Sequence, residues 1–213
     1  MNANDGFEPM SAIARAASAA APAADGVAPS GPAETTIDGT STNVSPALAR
    51  NRIFAAESGH EGAVVFPRLR LFVITCMDPR VDPAHFLGLS LGDALVVRNG
   101  GGRVTPEVIN DVAFIGQIAE TVIPDGPLFE VAVIHHTQCG SGVLADGTFR
   151  RRYAERIGAR EAPLREQADL DPTATVTRDV ERLRSASAIS ERVSVSGHVY
   201  DVATGLVETV WAA

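Results

Sequence analysis

The chain has 213 residues, enough for one domain of ordinary size or for one domain with a tail. With 45% hydrophobic and 21% charged residues, it has the composition of a folded protein and not of a disordered one. All 18 basic residues are arginine, so no lysine is present to form a Schiff base or to grip a nucleotide phosphate, and the net charge of −8 disfavours a nucleic-acid partner.

Residues 16–34 are mostly alanine, proline, glycine and serine, with almost no large apolar side chain. Such a segment buries too little surface to offset its ordering entropy. Residues 1–44 are therefore expected to be a disordered or loosely attached tail, and residues 45–213 the folded domain. The start is acidic and no Leu/Ile/Val/Phe run forms the apolar part of a signal peptide. No apolar stretch approaches the ~20 residues of a membrane span. A cytoplasmic protein without membrane contact is expected.

Residues 46–57 read as a short helix, with Ser45 as its cap and Pro46 at its first position. Residues 69–77 form an apolar, β-branched run with the length of a buried strand, and residues 94–99 form a second. Between them, residues 82–90 suggest a helical turn. Residues 106–122 predict a strong helix capped by Thr105, with an apolar stripe of Val108, Val112, Ile115, Ala119 and Val122. Residues 128–136 predict a third buried strand. Residues 147–158 and 173–189 read as helices, and residues 193–202 and 206–211 as strands joined by a short turn. Strands alternating with helices imply an α/β fold: a mainly parallel sheet flanked by helices, with an antiparallel edge from the last pair.

In such sheets functional residues gather at the carboxyl ends of strands. The first strand ends in Cys76-Met77-Asp78-Pro79-Arg80. The second ends in Arg98-Asn99 and three glycines, the third in His136-Thr137-Gln138-Cys139-Gly140. Two cysteines are too few for a disulfide scaffold. Two thiolates and an imidazole make a zinc site whose fourth position stays open, as catalysis requires. Water bound at such a position ionises near neutral pH. Asp78 has two available roles: to orient that water while Arg80 holds it, or to swing onto the metal and block it.

Cys-x-Asp-x-Arg, then Arg-Asn-Gly-Gly, then His-x-x-Cys-Gly, in that order, resembles the β-class carbonic anhydrases over roughly residues 45–211. Gly197 to Asp201 and Thr204-Gly205 extend the likeness. The resemblance implies one zinc per chain on Cys76, His136 and Cys139, a catalytic Asp78–Arg80 dyad, and reversible hydration of carbon dioxide to bicarbonate. It also implies a homodimer or a dimer of dimers, with the first helix reaching across to the partner. The same branch resembles hydrolases of carbonyl sulfide and carbon disulfide, linear isosteres of carbon dioxide, and the ligands alone do not choose among the three. Gly100 departs from the family pattern, which more often has alanine there, and Gln138 stands where acidic or small residues are common. A non-catalytic zinc protein used for assembly or regulation is the reading of a different class.

The alternatives at single residues are less specific. An isolated cysteine is most often a buried apolar residue. A thiol nucleophile at Cys139 with His136 as base is the sharper rival. A cysteine phosphatase loop would need arginine at position 82, which is aspartate. His135 is expected to point away from the site and pack behind it. His60, His85 and His198 are expected on the surface or in structural roles. Arg150, Arg151 and Arg152 are expected to form a solvated helix face. Val104, Phe86 and Leu87 are candidate pocket walls, and the Gly140 amide a candidate for polarising substrate.

Overall fold

A computed structural model describes residues 43–213. The expectation of a tail over residues 1–44 falls almost wholly outside them. Five strands form one sheet: β1 (Leu71–Cys76), β2 (Ala94–Asn99), β3 (Phe129–His136), β4 (Val193–Tyr200) and β5 (Val207–Trp211). Their order is β2-β1-β3-β4-β5. The first four run parallel, and β5 pairs antiparallel with β4. The chain steps from β1 to β2 on one side, then crosses to β3 on the other. This reversal of direction opens a crevice at the carboxyl ends of β1 and β3.

Among the described residues six α-helices accompany the sheet: α1 (Ser45–Ala56), α2 (Pro83–Phe86), α3 (Pro106–Val122), α4 (Gly147–Ile157), α5 (Glu161–Glu166) and α6 (Pro172–Arg184). Helix α3 starts where the sequence predicts, with Thr105 Oγ1 accepting from the Val108 amide at 3.4 Å. Its stripe holds at Val108, Val112 and Ala119, which pack with Val176, Val180 and Leu183 of α6 against Phe72, Ile74, Val131 and Val133. Each such valine or leucine taken from water contributes roughly 1.5–3 kcal/mol. Val122, at the far end of the stripe, is 60% exposed, past the edge of the sheet. The other face of the sheet is covered by a smaller cluster of Val73, Ala132 and Ile134 with Phe86 and Tyr200.

Several boundaries differ from the sequence reading. Ser45 is the first residue inside α1, and Val44 occupies the cap position. No residue of α1 is buried. Strand β2 is at the sheet edge and only half-buried, with Val96 42% exposed, because the crossover to β3 leaves its outer side without a neighbour. Helix α6 ends at Arg184, five residues early, and α5 falls in a stretch to which the sequence assigns no element. Arg150 is not on a solvated face: it is 6% exposed, and its guanidinium donates to the carbonyls of Leu144 and Ala145 at 2.7 and 3.1 Å. Among the described residues no helix is long and apolar enough to cross a membrane.

The glycine turn after β2 makes a direct test of packing. Gly102 has φ +66°, and a Cβ there would meet the Cys76 amide nitrogen at 2.9 Å. Gly100 has neither constraint: nothing lies within 4 Å of its Cβ position and its φ is not in the left-handed range. Gly102→Ala is expected to lose at least about 2 kcal/mol of unfolding free energy. Gly100→Ala is expected to be neutral or to gain up to ~1 kcal/mol. Urea titrations of both variants check this pair.

Candidate metal centre

Strand β1 delivers Cys76 and strand β3 delivers His136, while Cys139 follows at the start of a tight turn over Gly140–Ala145. One ligand atom from each of the three lies within 4.8 Å of the others, and all three residues are buried. The two sulfurs are 3.9 Å apart, far beyond a disulfide. Two Zn–S bonds of about 2.3 Å at a tetrahedral angle span ~3.8 Å, so the spacing fits that ion.

The imidazole is oriented for the same purpose. His136 Nδ1 is 2.9 Å from the Thr137 carbonyl oxygen, which only accepts, so Nδ1 carries the proton. Its Nε2 is then a bare lone pair, fully buried and without a hydrogen-bond partner. A buried acceptor left unpaired is costly, and a metal ion would satisfy it. The thiols share this electron-rich environment. The hydrogen bond with Cys139 overcomes burial and, with His136 nearby, pulls the Cys76 thiol down to about 4. The same hydrogen bond pushes the Cys139 thiol up. A divalent cation bound by both sulfurs would displace the thiol protons. The Ser141 hydroxyl lies 3.1 Å from Cys139 Sγ, and the Asp78 amide donates to Cys76 Sγ at 3.4 Å.

Asp78 and Arg80 form a two-pronged pair beside the cage. Arg80 Nε donates to Oδ1 at 3.0 Å and Nη2 to Oδ2 at 2.7 Å, and the Arg80 amide adds a third bond to Oδ1 at 2.9 Å. Burial would raise the Asp78 carboxyl, but these bonds and the guanidinium charge hold it below the usual carboxylate range. Arg80 Nη2 also reaches the Gln138 carbonyl at 3.0 Å. Gln138 adopts φ +57°, an uncommon conformation for a side-chain-bearing residue. Arg80 therefore joins Asp78 to the loop between His136 and Cys139. Arg98, one of the polar residues at the end of β2, donates to the carbonyls of Cys76 and Asp78 at 3.0 and 2.8 Å and so fixes the course of that segment.

Not every candidate is at the site. Phe86 stacks on Tyr200 with ring centroids 4.4 Å apart, and the two line a cleft shared with Arg80, Asp82 and His85. Leu87 is at the partly exposed end of α2, and Val104 is inside the core against α3. His135 is fully buried behind the ligands, as expected, and His198 bonds to Thr209 and Ser196. Sequence reasoning missed Arg103, Asp169 and Asp179, which surround His135. A signal existed for Asp179: it falls among Thr175, Val176, Val180 and Leu183 on the buried stripe of α6.

Comparison with known proteins agrees with this geometry. Residues 71–207 match the family model described as carbonic anhydrase. Beta-carbonic anhydrase 1 of Mycobacterium tuberculosis is 31% identical over 164 residues, 76% of this chain and 94% of that protein. Carbon disulfide hydrolase of Acidithiobacillus thiooxidans is 28% identical over 156 residues, 64% of this chain and 74% of that protein. The crystal structure of a carbonic anhydrase from Streptococcus mutans superposes with a TM-score of 0.65 at 30% identity, covering 80% of this chain and 99% of that one. A family match across most of the sheet, together with a relative at 31% identity, makes this chain a member of the β-carbonic anhydrase family.

Proposed function

We propose that this chain is a zinc enzyme that reversibly hydrates carbon dioxide to bicarbonate and a proton. Cys76, His136 and Cys139 hold the metal, and Asp78 and Arg80 act in catalysis. The observation that carries the reading is the cage itself: two sulfurs 3.9 Å apart, an unpartnered buried Nε2, and the clamped Asp78 beside them. Zinc, when bound, supplies a Lewis acid that brings the ionisation of water close to neutral pH.

The chain's own residues do the rest. Arg80 keeps Asp78 ionised and turned aside, so the carboxylate would not itself bind the metal. Asp78 accepts a hydrogen bond from the attacking water and aims its lone pair at the carbon of carbon dioxide. Arg98 pins the backbone of Cys76 and Asp78, so ligand and acceptor keep a fixed separation. The product proton passes to solvent.

The active unit is a homodimer or a dimer of dimers. Strand β2 offers an unpaired edge with Val96 exposed, and α1 buries nothing against its own chain. A second copy would cover both. The cytoplasmic location expected from the sequence belongs to the same proposal.

A second reading is hydrolysis of carbon disulfide or carbonyl sulfide, favoured by the relative that carries out the first. Stopped-flow carbon dioxide hydration across pH, run beside both sulfur substrates, separates the readings. Rapid hydration with little sulfide release is expected. Sulfide release with negligible hydration would replace the first reading by the second. A zinc-loaded protein that turns over none of the three would point to the assembly role.

A further inference from the structure

Behind the cage is a second set of charges that the reaction does not use. Arg103 is 3% exposed, and Asp179 is fully buried. The guanidinium forks onto the carboxylate, with Nε–Oδ2 2.6 Å and Nη2–Oδ1 3.2 Å, and its Nη1 donates to the Glu166 carbonyl at 2.6 Å. Asp179 Oδ2 also accepts from the Val104 amide at 3.2 Å and lies 3.3 Å from His135 Nε2. Arg182 Nη1 approaches Oδ1 at 3.4 Å. Helix α6 is thereby tied through one carboxylate to the turn after β2 and to the strand that carries His136.

That turn touches two of the ligand segments, and helix α6 reaches the third. Asn99 and Arg103 close it with two hydrogen bonds of 2.8 Å. Gly102 lies so close to the Cys76 backbone that a Cβ would come within 2.9 Å of its amide nitrogen. Gly101 lies against Ser141, whose hydroxyl is 3.1 Å from Cys139 Sγ. His135, on the third branch, immediately precedes His136 and is held at Nδ1 by Thr175 at 2.8 Å.

We propose that Arg103 and Asp179 are positioning residues of the metal centre: by joining helix α6 to the turn after β2 they set the placement of the ligand segments and so govern how tightly zinc is held. The proposal rests on the assignment of Cys76, His136 and Cys139 as ligands. A buried ion pair contributes little to stability compared with well-packed apolar residues of the same volume. Its value here is geometric, because one carboxylate of α6 accepts from both Arg103 and the Val104 amide in the turn after β2 and lies against His135 of β3.

The test is zinc release from purified holoprotein to a chromogenic chelator, with thermal melting and the reactivity of Cys76 and Cys139 in the metal-stripped protein read alongside. The double variant Arg103→Met/Asp179→Leu removes both charges and keeps the volume. It is expected to fold, with melting lowered by the unpaired Val104 amide, and to hold zinc ~10–100-fold less tightly, the usual effect of losing an outer support of a metal site. Its stripped thiols are expected to react faster. Arg103→Lys, which keeps the charge and loses the fork, is expected to fold and to release zinc faster as well. Wild-type zinc release and thiol reactivity in Arg103→Lys, or in a folded double variant, would overturn the proposal. Wild-type protein that carries no zinc would instead overturn the ligand assignment, a failure seen without any variant.

Discussion

Cys139→Ser is expected to reduce bound zinc from about one ion per chain to near zero and to abolish turnover with it. The hydroxyl of serine does not ionise at neutral pH, so the cage loses a soft, charged donor and retains Cys76 and His136 alone. Two ligands from different strands do not hold the ion against dilution. The fold should survive the change. The new hydroxyl replaces a sulfur that lies 3.1 Å from the Ser141 hydroxyl, close enough for a hydrogen bond to form in its place. Metal analysis of the purified variant, with circular dichroism to confirm folding, checks this. A folded variant that retains a full complement of zinc would remove Cys139 from the ligand set.

Asp78→Asn is expected to do the opposite on the metal side: zinc stays, and kcat/KM falls roughly 10–100-fold or more. The carboxylate oxygens accept three hydrogen bonds from Arg80. An amide replaces one acceptor with a donor, so it either faces an Arg80 N–H or turns its NH2 toward the attacking water. In the first case the clamp opens, and in the second the water loses its acceptor. Turnover equal to wild type at full zinc occupancy would show that the dyad has no catalytic part.

The site was largely legible because its chemistry sits in short, contiguous segments. The β-branched runs ending in Cys76, Asn99 and His136 marked three strand ends, and each strand end carried polar residues with a chemical use. What stayed hidden depends on tertiary pairing. Arg103 and Asp179 are 76 positions apart and were not paired in the sequence reading. The edge position of β2 is a matter of strand order, since Ala-Leu-Val-Val serves as well in the middle of a sheet as at its margin. Helix α5 was missed because Pro163 within a six-residue segment reads as a breaker, although proline is tolerated in the first turn. Arg150 reads as one of three adjacent arginines, and only the fold turns it inward onto two carbonyls.

The separation of the ligands along the chain also orders events in time. His136 and Cys139 are three residues apart, whereas Cys76 and Cys139 are 63 apart and meet only after β3 has docked on β1. An unfolded chain therefore offers a metal no more than a two-toothed clip, and the complete cage exists only once the central strands are paired. On the proposed ligand set, zinc would arrive as a latch on a finished structure and not as a seed for it. Its grip would fall on the native state, slowing the escape from that state and leaving the pace of folding to the sheet.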